Sequence, residues 1–276
     1  MKLEFLSKDK DANRIVFMLK DANPFMANAL RRLVADAVPV FAIATVEFAN
    51  NTSALYDEML AHRLGLIPLS SDASGYNRKE NCSCEGVGCN KCTVQLTLQA
   101  KGPCTVFSKD LKSKDPEVKP IIDDLPIVEL LKGQVLEFVA TACLGCASEH
   151  AKFSPGLAWF SYKPSVTVNN DAKSFASVKD KFPPQVFDGD KISKGKIEDL
   201  DLYDAVDGVD ADVVRVDYDP STFIFKVESW GQLTPKEIVV SALEALEKKL
   251  ALLGHEIDRA GVAEPGQMRT VEGRVP

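Results

Sequence analysis

Histidine is scarce in this sequence: His62, His150 and His255 are the only three among 276 residues. Neither a G-x-S-x-G elbow nor a P-loop is present. The zinc-deaminase pattern, H-x-E followed by P-C-x2-C, is missing as well. The acidic pairs Asp57-Glu58 and Asp123-Asp124 read as solvated or capping groups, so no nucleophile, base and oxyanion donor come together. No apolar run approaches the ~18 residues of a membrane span. The opening MKLEFLSKDKDANRIVFML lacks the apolar core and small-residue cleavage site of a signal peptide, so a cytoplasmic protein with no membrane partner is expected. Positive charge is not in excess: the formal net charge is -7 and the sequence pI about 5.2. Chains that grip phosphates are usually basic, so DNA is expected to be contacted only indirectly. What is present, 45% hydrophobic and 26% charged residues with fourteen Phe, suits a folded chain of two or three compact units and argues against disorder.

Cysteine is the exception to this plainness. There are seven, an odd count, and four of them fall within eleven residues as Cys82, Cys84, Cys89 and Cys92. The pattern C-x-C-x4-C-x2-C points to a metal site in a reducing compartment rather than a disulfide framework. Four thiolates close a tetrahedral structural zinc site, leaving no open position for catalysis. Gly86 and Gly88 lie between the pairs, where the backbone must curl inside the sulfurs. Iron–sulfur clusters also use four thiolates. One structural zinc is favoured because the loop is short and polar, with little to shield a redox centre. Cys143-x2-Cys146, with His150 four residues on, lacks a fourth ligand and reads as a pair of partly buried structural thiols.

The chain's punctuation predicts its elements. Leu3–Leu6 and Arg14–Leu19 read as strands. Asn23 as N-cap with Pro24 at the first helical position opens a helix carrying Met26, Leu30, Leu33, Val34 and Ala37, which Pro39 ends. A strand follows at Phe41, Ile43 and Val46, then a turn at Asn50–Ser53 and a second helix over Leu55–Leu64 with Gly65 as C-cap. Thr93–Leu98 and Val135–Ala142 are expected as strands, Val106–Leu111 as another, and Ile127–Leu131 as a short helix. The acidic stretch 165–222 is too long for a bare loop and is expected to be a small folded insert. Thr234-Pro235-Lys236-Glu237 is a capping box. Val239, Leu243, Leu246, Leu250 and Leu253 follow at alternating spacings of four and three, a heptad-like seam expected to end at Gly254 before a loose tail.

Several blocks carry a family resemblance. ANALRRLVADAVPVFAI at 27–43, NTSALYDEMLAHRLGLIPL at 51–69 and the cysteine loop running into KCTVQLTL come first. ASEHAKFSP at 147–155 and FIFKVESWGQLTPKEIVVSAL at 223–243 follow in order. Together they resemble the α-like assembly subunits of multi-subunit DNA-directed RNA polymerases: the archaeal D-type subunit, the third-largest subunit of eukaryotic polymerase II, and bacterial α. The resemblance implies an α+β fold: a discontinuous dimerisation domain (1–46 and 223–276), an inserted zinc-loop domain (47–164), and a nested, degenerate ferredoxin-like mini-domain (165–222). It implies a non-catalytic scaffold that pairs with a smaller α-like subunit, L, recruits small subunits N and P, and supports the large catalytic subunits. The implied interface takes Phe25, Ala29, Leu30, Leu33, Val239, Leu243, Leu246, Leu250 and Leu253. Arg31 and Arg32, on the family's N-x-L-R-R motif, look toward the large subunits, with Glu149–Lys152 as a further docking loop. Many archaeal relatives hold iron–sulfur clusters in the nested insert. Here it has no cysteine, and Leu200, Tyr203 and Val206 stand at the ligand rhythm, so no cluster is expected there. The other readings are a stand-alone zinc or iron–sulfur redox protein, or a regulator that borrows the fold to sequester the partner.

Overall fold

The structure, a computed structural model, describes residues 2–9, 11–71 and 75–261. In chain order its elements begin with β1 (Lys2–Asp9), β2 (Arg14–Lys20), α1 (Pro24–Asp36), β3 (Val40–Asn51) and α2 (Asp57–Gly65). After the cysteine loop come β4 (Thr93–Lys101), β5 (Cys104–Phe107), β6 (Lys112–Ser113), β7 (Pro126–Leu130) and β8 (Val135–Gly145). Then follow β9 (Gly156–Val168), α3 (Phe175–Val178), β10 (Phe187–Asp188), β11 (Lys191–Ile192), α4 (Lys194–Asp199) and α5 (Tyr203–Val206). β12 (Val214–Ser229) and α6 (Pro235–Gly261) complete the described chain.

Two compact units result. Of the described residues, one contains those within 1–9, 15–29 and 159–227, and the other those within 10–14, 30–158 and 228–261. The first is built on a four-stranded sheet ordered β1-β2-β12-β9. Its aromatic packing is direct: Phe17 stacks on Phe225 at 5.3 Å, and Phe160 lies 5.2 Å from Phe225 and 5.6 Å from Phe223. Between β9 and β12 the stretch expected as a small insert folds around its own core. Phe182, Val186, Ile192, Ile197 and Val206 are buried there together with Val166, Val213 and Val214.

The second unit centres on the antiparallel sheet β3-β8-β4-β6. Strand β8 alternates buried and half-buried residues along most of its length, the period-two pattern of a sheet with one apolar face. Phe41, Ile43, Leu96, Leu98, Phe138 and Ala140 join Leu60 and Leu64 of α2 in the main core. Val40 and Ala42, on the opposite face of β3, pack with Cys143 and Phe153. The start of β3 is also pinned by buried polar groups. The Ser71 hydroxyl accepts from Phe41 N at 2.8 Å and donates to Leu69 O at 3.0 Å, while Gln232 Nε2 donates to Phe41 O. Gly145 packs on the Phe153 ring, where an added Cβ would come within 2.7 Å of ring carbons.

The local signals form as their chemistry requires. Asn23 Oδ1 accepts from Met26 N at 2.8 Å at the start of α1. At the start of α6 the capping box is complete: Thr234 N donates to Glu237 Oε2 at 2.8 Å and Glu237 N donates to Thr234 Oγ1 at 3.3 Å. Thr234→Ala is expected to cost about 1 kcal/mol in denaturant unfolding, with Thr234→Ser close to wild type.

Four expectations are corrected. Residues 126–130 form strand β7, antiparallel to β5, rather than a helix, because Val106 and Val128 pair across the ladder in the core. The strand expected over Val106–Leu111 stops at Phe107, where a 3-10 turn over Ser108–Asp110 is held by Asp110 Oδ2 accepting from Phe107 N at 2.8 Å. Gly65 is the last residue of α2, not a left-handed cap; Leu66 caps it in a right-handed conformation. Helix α6 passes through Gly254 and reaches Gly261, 27 residues in all. One interior glycine costs only about 1 kcal/mol relative to alanine, too little by itself to end a helix. The expected loose tail lies, from 262 onward, outside the described residues.

Candidate functional site

The four cysteines converge because two short turns face each other. A 3-10 turn over Lys79–Asn81 delivers Cys82, whose carbonyl then accepts from Glu85 N at 3.0 Å. Glu85, Gly86 and Gly88 all take positive φ, at 53°, 83° and 105°, which turns the chain back on itself. The second turn is closed by Cys92 N and Thr93 N, both donating to Cys89 O at 2.9 Å, and by the Thr93 hydroxyl at 3.0 Å. Thr93 then enters β4, so the loop is anchored directly on the sheet.

All four sulfurs lie within 4.8 Å of one another. Cys82–Cys89 and Cys84–Cys92 are 3.5 Å apart and Cys89–Cys92 3.9 Å. An ion bound about 2.3 Å from each of four thiolates would space them roughly 3.8 Å apart, so the donor set fits one tetrahedral ion. The Gly88 N–H lowers Cys84 to about 6, while burial pushes Cys92 up to about 12. Gly88 and Cys89 also line an adjoining hollow with Tyr76, whose hydroxyl is pushed up to about 12 by burial and by its hydrogen bond to Asp115.

One link to this site has no sequence signal. Arg78 forms ion pairs with Glu80 at 3.2 Å and with Glu149, tying the metal loop to the 147–155 segment. That segment is fixed in turn by Lys152 Nζ donating to Ile43 O at 3.0 Å and by Ser148 N donating to Asp36 O. A lone arginine four residues before a cysteine has no periodic partner, so only the fold reveals its role. Cys143 and Cys146 are buried, and burial raises both thiols. Cys146 Sγ donates to Ala37 O at 3.5 Å, which agrees with the structural reading of the pair. Among the described residues, the only group of three or more potential ligands is the Cys82–Cys92 set.

The residues expected at a partner interface differ widely in exposure. Phe25 is 86% exposed on α1, whereas Leu30 and Leu33 are buried, Ala29 and Arg31 are half-buried and Arg32 is exposed. On α6, Ile238 and Ala242 are fully buried. Val239 and Leu246 are half-buried. Leu243, Leu250 and Leu253 are exposed, as are Val240, Leu252 and Ile257. Ile257 falls four residues after Leu253 and continues the four-three rhythm, a signal readable in the sequence once Gly254 is not treated as a stop.

Residues 46–156, which contain the four-cysteine loop and the sheet it is anchored on, match the family described as "RNA polymerase Rpb3/RpoA insert domain". Similarity extends well beyond that domain. The chain is 35% identical to the DNA-directed RNA polymerase subunit Rpo3 of Pyrococcus horikoshii over 94% of its own length and 98% of that protein. It is 34% identical to the Rpo3 of Methanothermobacter thermautotrophicus, over 90% of this chain and 96% of that one. With the Rpo3 of Methanosarcina mazei it shares 38% identity over 84% and 90%. The chain belongs to the Rpo3 family of DNA-directed RNA polymerase subunits.

Proposed function

We propose that this chain is the non-catalytic assembly subunit of a multi-subunit RNA polymerase, the role of the archaeal D-type subunit. The observation that carries the reading is near full-length similarity to proteins named as Rpo3 subunits. In this role α6 and the start of α1 offer exposed apolar side chains to a smaller α-like partner, subunit L, within a dimerisation domain made of 1–46 and 223–276. The chain also recruits the small subunits N and P, and its inserted domain spans 47–164. Arg31, Arg32 and Glu149–Lys152 face the large catalytic subunits. Arginine suits such docking through its planar set of donors. DNA is met only through the assembly, and the complex works in the cytoplasm.

The metal in this reading is one zinc, held by Cys82, Cys84, Cys89 and Cys92. Sulfurs all within 4.8 Å suit a single ion. An iron–sulfur cluster spreads its thiolates over several irons and needs a wider cradle. Zinc would act structurally, replacing a hydrophobic core for the loop. The segment at 165–222 is taken as a ferredoxin-like fold kept for shape. Val206 is buried and Tyr203 packs on the same core, while Leu200 is exposed, so two of the three residues at the ligand rhythm serve apolar packing.

Affinity capture of the tagged chain from the cells that make it tests the assembly reading. Large polymerase subunits in equal stoichiometry, and no nucleotide polymerisation by the lone purified chain, are the expected results. Recovery free of polymerase subunits, or synthesis by the lone chain, would reject it.

A further inference from the structure

Within the first unit, a cavity of about 350 Å³ opens where β9 and β12 meet α4 and α5. Trp159 and Tyr162 of β9, Tyr203 of α5 and Tyr218 of β12 line it, four of the chain's seven Tyr and Trp residues. Trp159, Tyr162 and Tyr218 remain 36–43% exposed, and Tyr162 packs its other side on Phe223 at 5.1 Å. Glu198, Asp201 and Asp204 also line the cavity.

The charge balance is one-sided. Lys226 is the single basic residue in the lining, and it is taken up by Asp201 at 3.3 Å. Glu198 pairs outward with Lys194 at 3.6 Å. Asp204 makes no ion pair among the described residues. The tyrosine hydroxyls register the resulting field: burial raises both, and the carboxylates Glu198 and Asp201 at Tyr203, and Asp207 and Asp204 at Tyr218, raise them further.

We propose that this cavity is a docking pocket for the arginine or lysine side chain of a basic segment of a partner protein. Indole and phenol faces attract a cation within about 6 Å of the ring centre. Carboxylates beside them add Coulomb attraction and disfavour a phosphate or nucleic-acid backbone. The size lies at the small end of ligand pockets, roughly 300–1,000 Å³, so it suits one long side chain rather than a bulky cofactor. The pocket uses no residue of the metal loop or of α6, and it stands or falls apart from the assembly reading.

The test uses the full-length chain carrying Trp230→Phe, so that Trp159 is the sole tryptophan, at physiological ionic strength. Oligo-arginine and oligo-lysine peptides are titrated against its emission, with oligo-glutamine as the neutral control. A saturable change is expected with the cationic peptides and none with oligo-glutamine. Asp204→Asn and Tyr218→Ala should each weaken binding about tenfold while leaving the circular dichroism unchanged. Asp204 is exposed, so its variant tests the pocket even if Tyr218→Ala fails to fold. No saturable change, or a change that ignores Asp204→Asn, would overturn the proposal. Equal competition by free spermidine would also overturn it, by giving the cavity to a small polyamine.

Discussion

Replacing Leu250 and Leu253 together with glutamate should abolish co-purification with an α-like partner while leaving the lone chain folded. Both side chains are more than half exposed, at 58% and 56%, so the variant loses little internal packing. Covered by a partner, each leucine would contribute about 1.5–3 kcal/mol. Losing both removes roughly 3–6 kcal/mol, a weakening of about 10²- to 10⁴-fold before the cost of burying two carboxylates is added. Size-exclusion chromatography with light scattering on the co-expressed pair reads the result. Ala242→Glu should behave differently: Ala242 is fully buried against its own chain, so the charge should unfold or aggregate the protein even without a partner. Undiminished pairing of the Leu250→Glu, Leu253→Glu variant would move the interface off α6.

The second large effect belongs to the cysteine loop. Purified chain should carry one zinc, and Cys92→Ser should lose it. Cys92 is buried and its sulfur lies within 4.8 Å of the other three, so a serine there leaves a buried hydroxyl and an incomplete ligand shell. Structural zinc carries an apparent binding energy of about 10–16 kcal/mol in small fingers, far more than the few backbone hydrogen bonds of this loop can replace. Chelation should therefore expose 77–92 to proteolysis. The sheet behind it should hold, because its core of Phe41, Leu96, Leu98 and Phe138 does not depend on the loop. Elemental analysis and limited proteolysis, with and without chelator, read both parts. Stoichiometric iron and sulfide in place of zinc would reject the metal assignment.

Much of this site is legible in the sequence alone. Cysteine spacing identifies the ligand set, because thiolates four to a short loop have few other uses. The capping box at Thr234 and the N-cap at Asn23 fix helix starts, since both satisfy orphan N–H groups through local side chains. Tertiary information is harder to see. Residues 126–130 are apolar enough for either helix or strand, and only their pairing with β5 decides between them. Gly254 reads as a stop when local propensity is weighed alone. The seam expected on α6 is divided between half-buried Val239 and Leu246 and exposed Leu243, Leu250 and Leu253, while the deeply buried pair is Ile238 and Ala242. Heptad spacing finds an apolar stripe but not which edge of it the chain covers for itself. Arg78 joins Glu149 across 71 residues of sequence, a distance over which no pattern signal survives.

The most direct test is the native mass of this chain co-expressed with a small α-like subunit, followed by hydrogen exchange along α6. A one-to-one heterodimer is expected, in which the amides around Leu243–Ile257 are far better protected than in the chain alone. A stable monomer, with α6 equally protected whether or not that subunit is present, would contradict a scaffold that pairs through this helix.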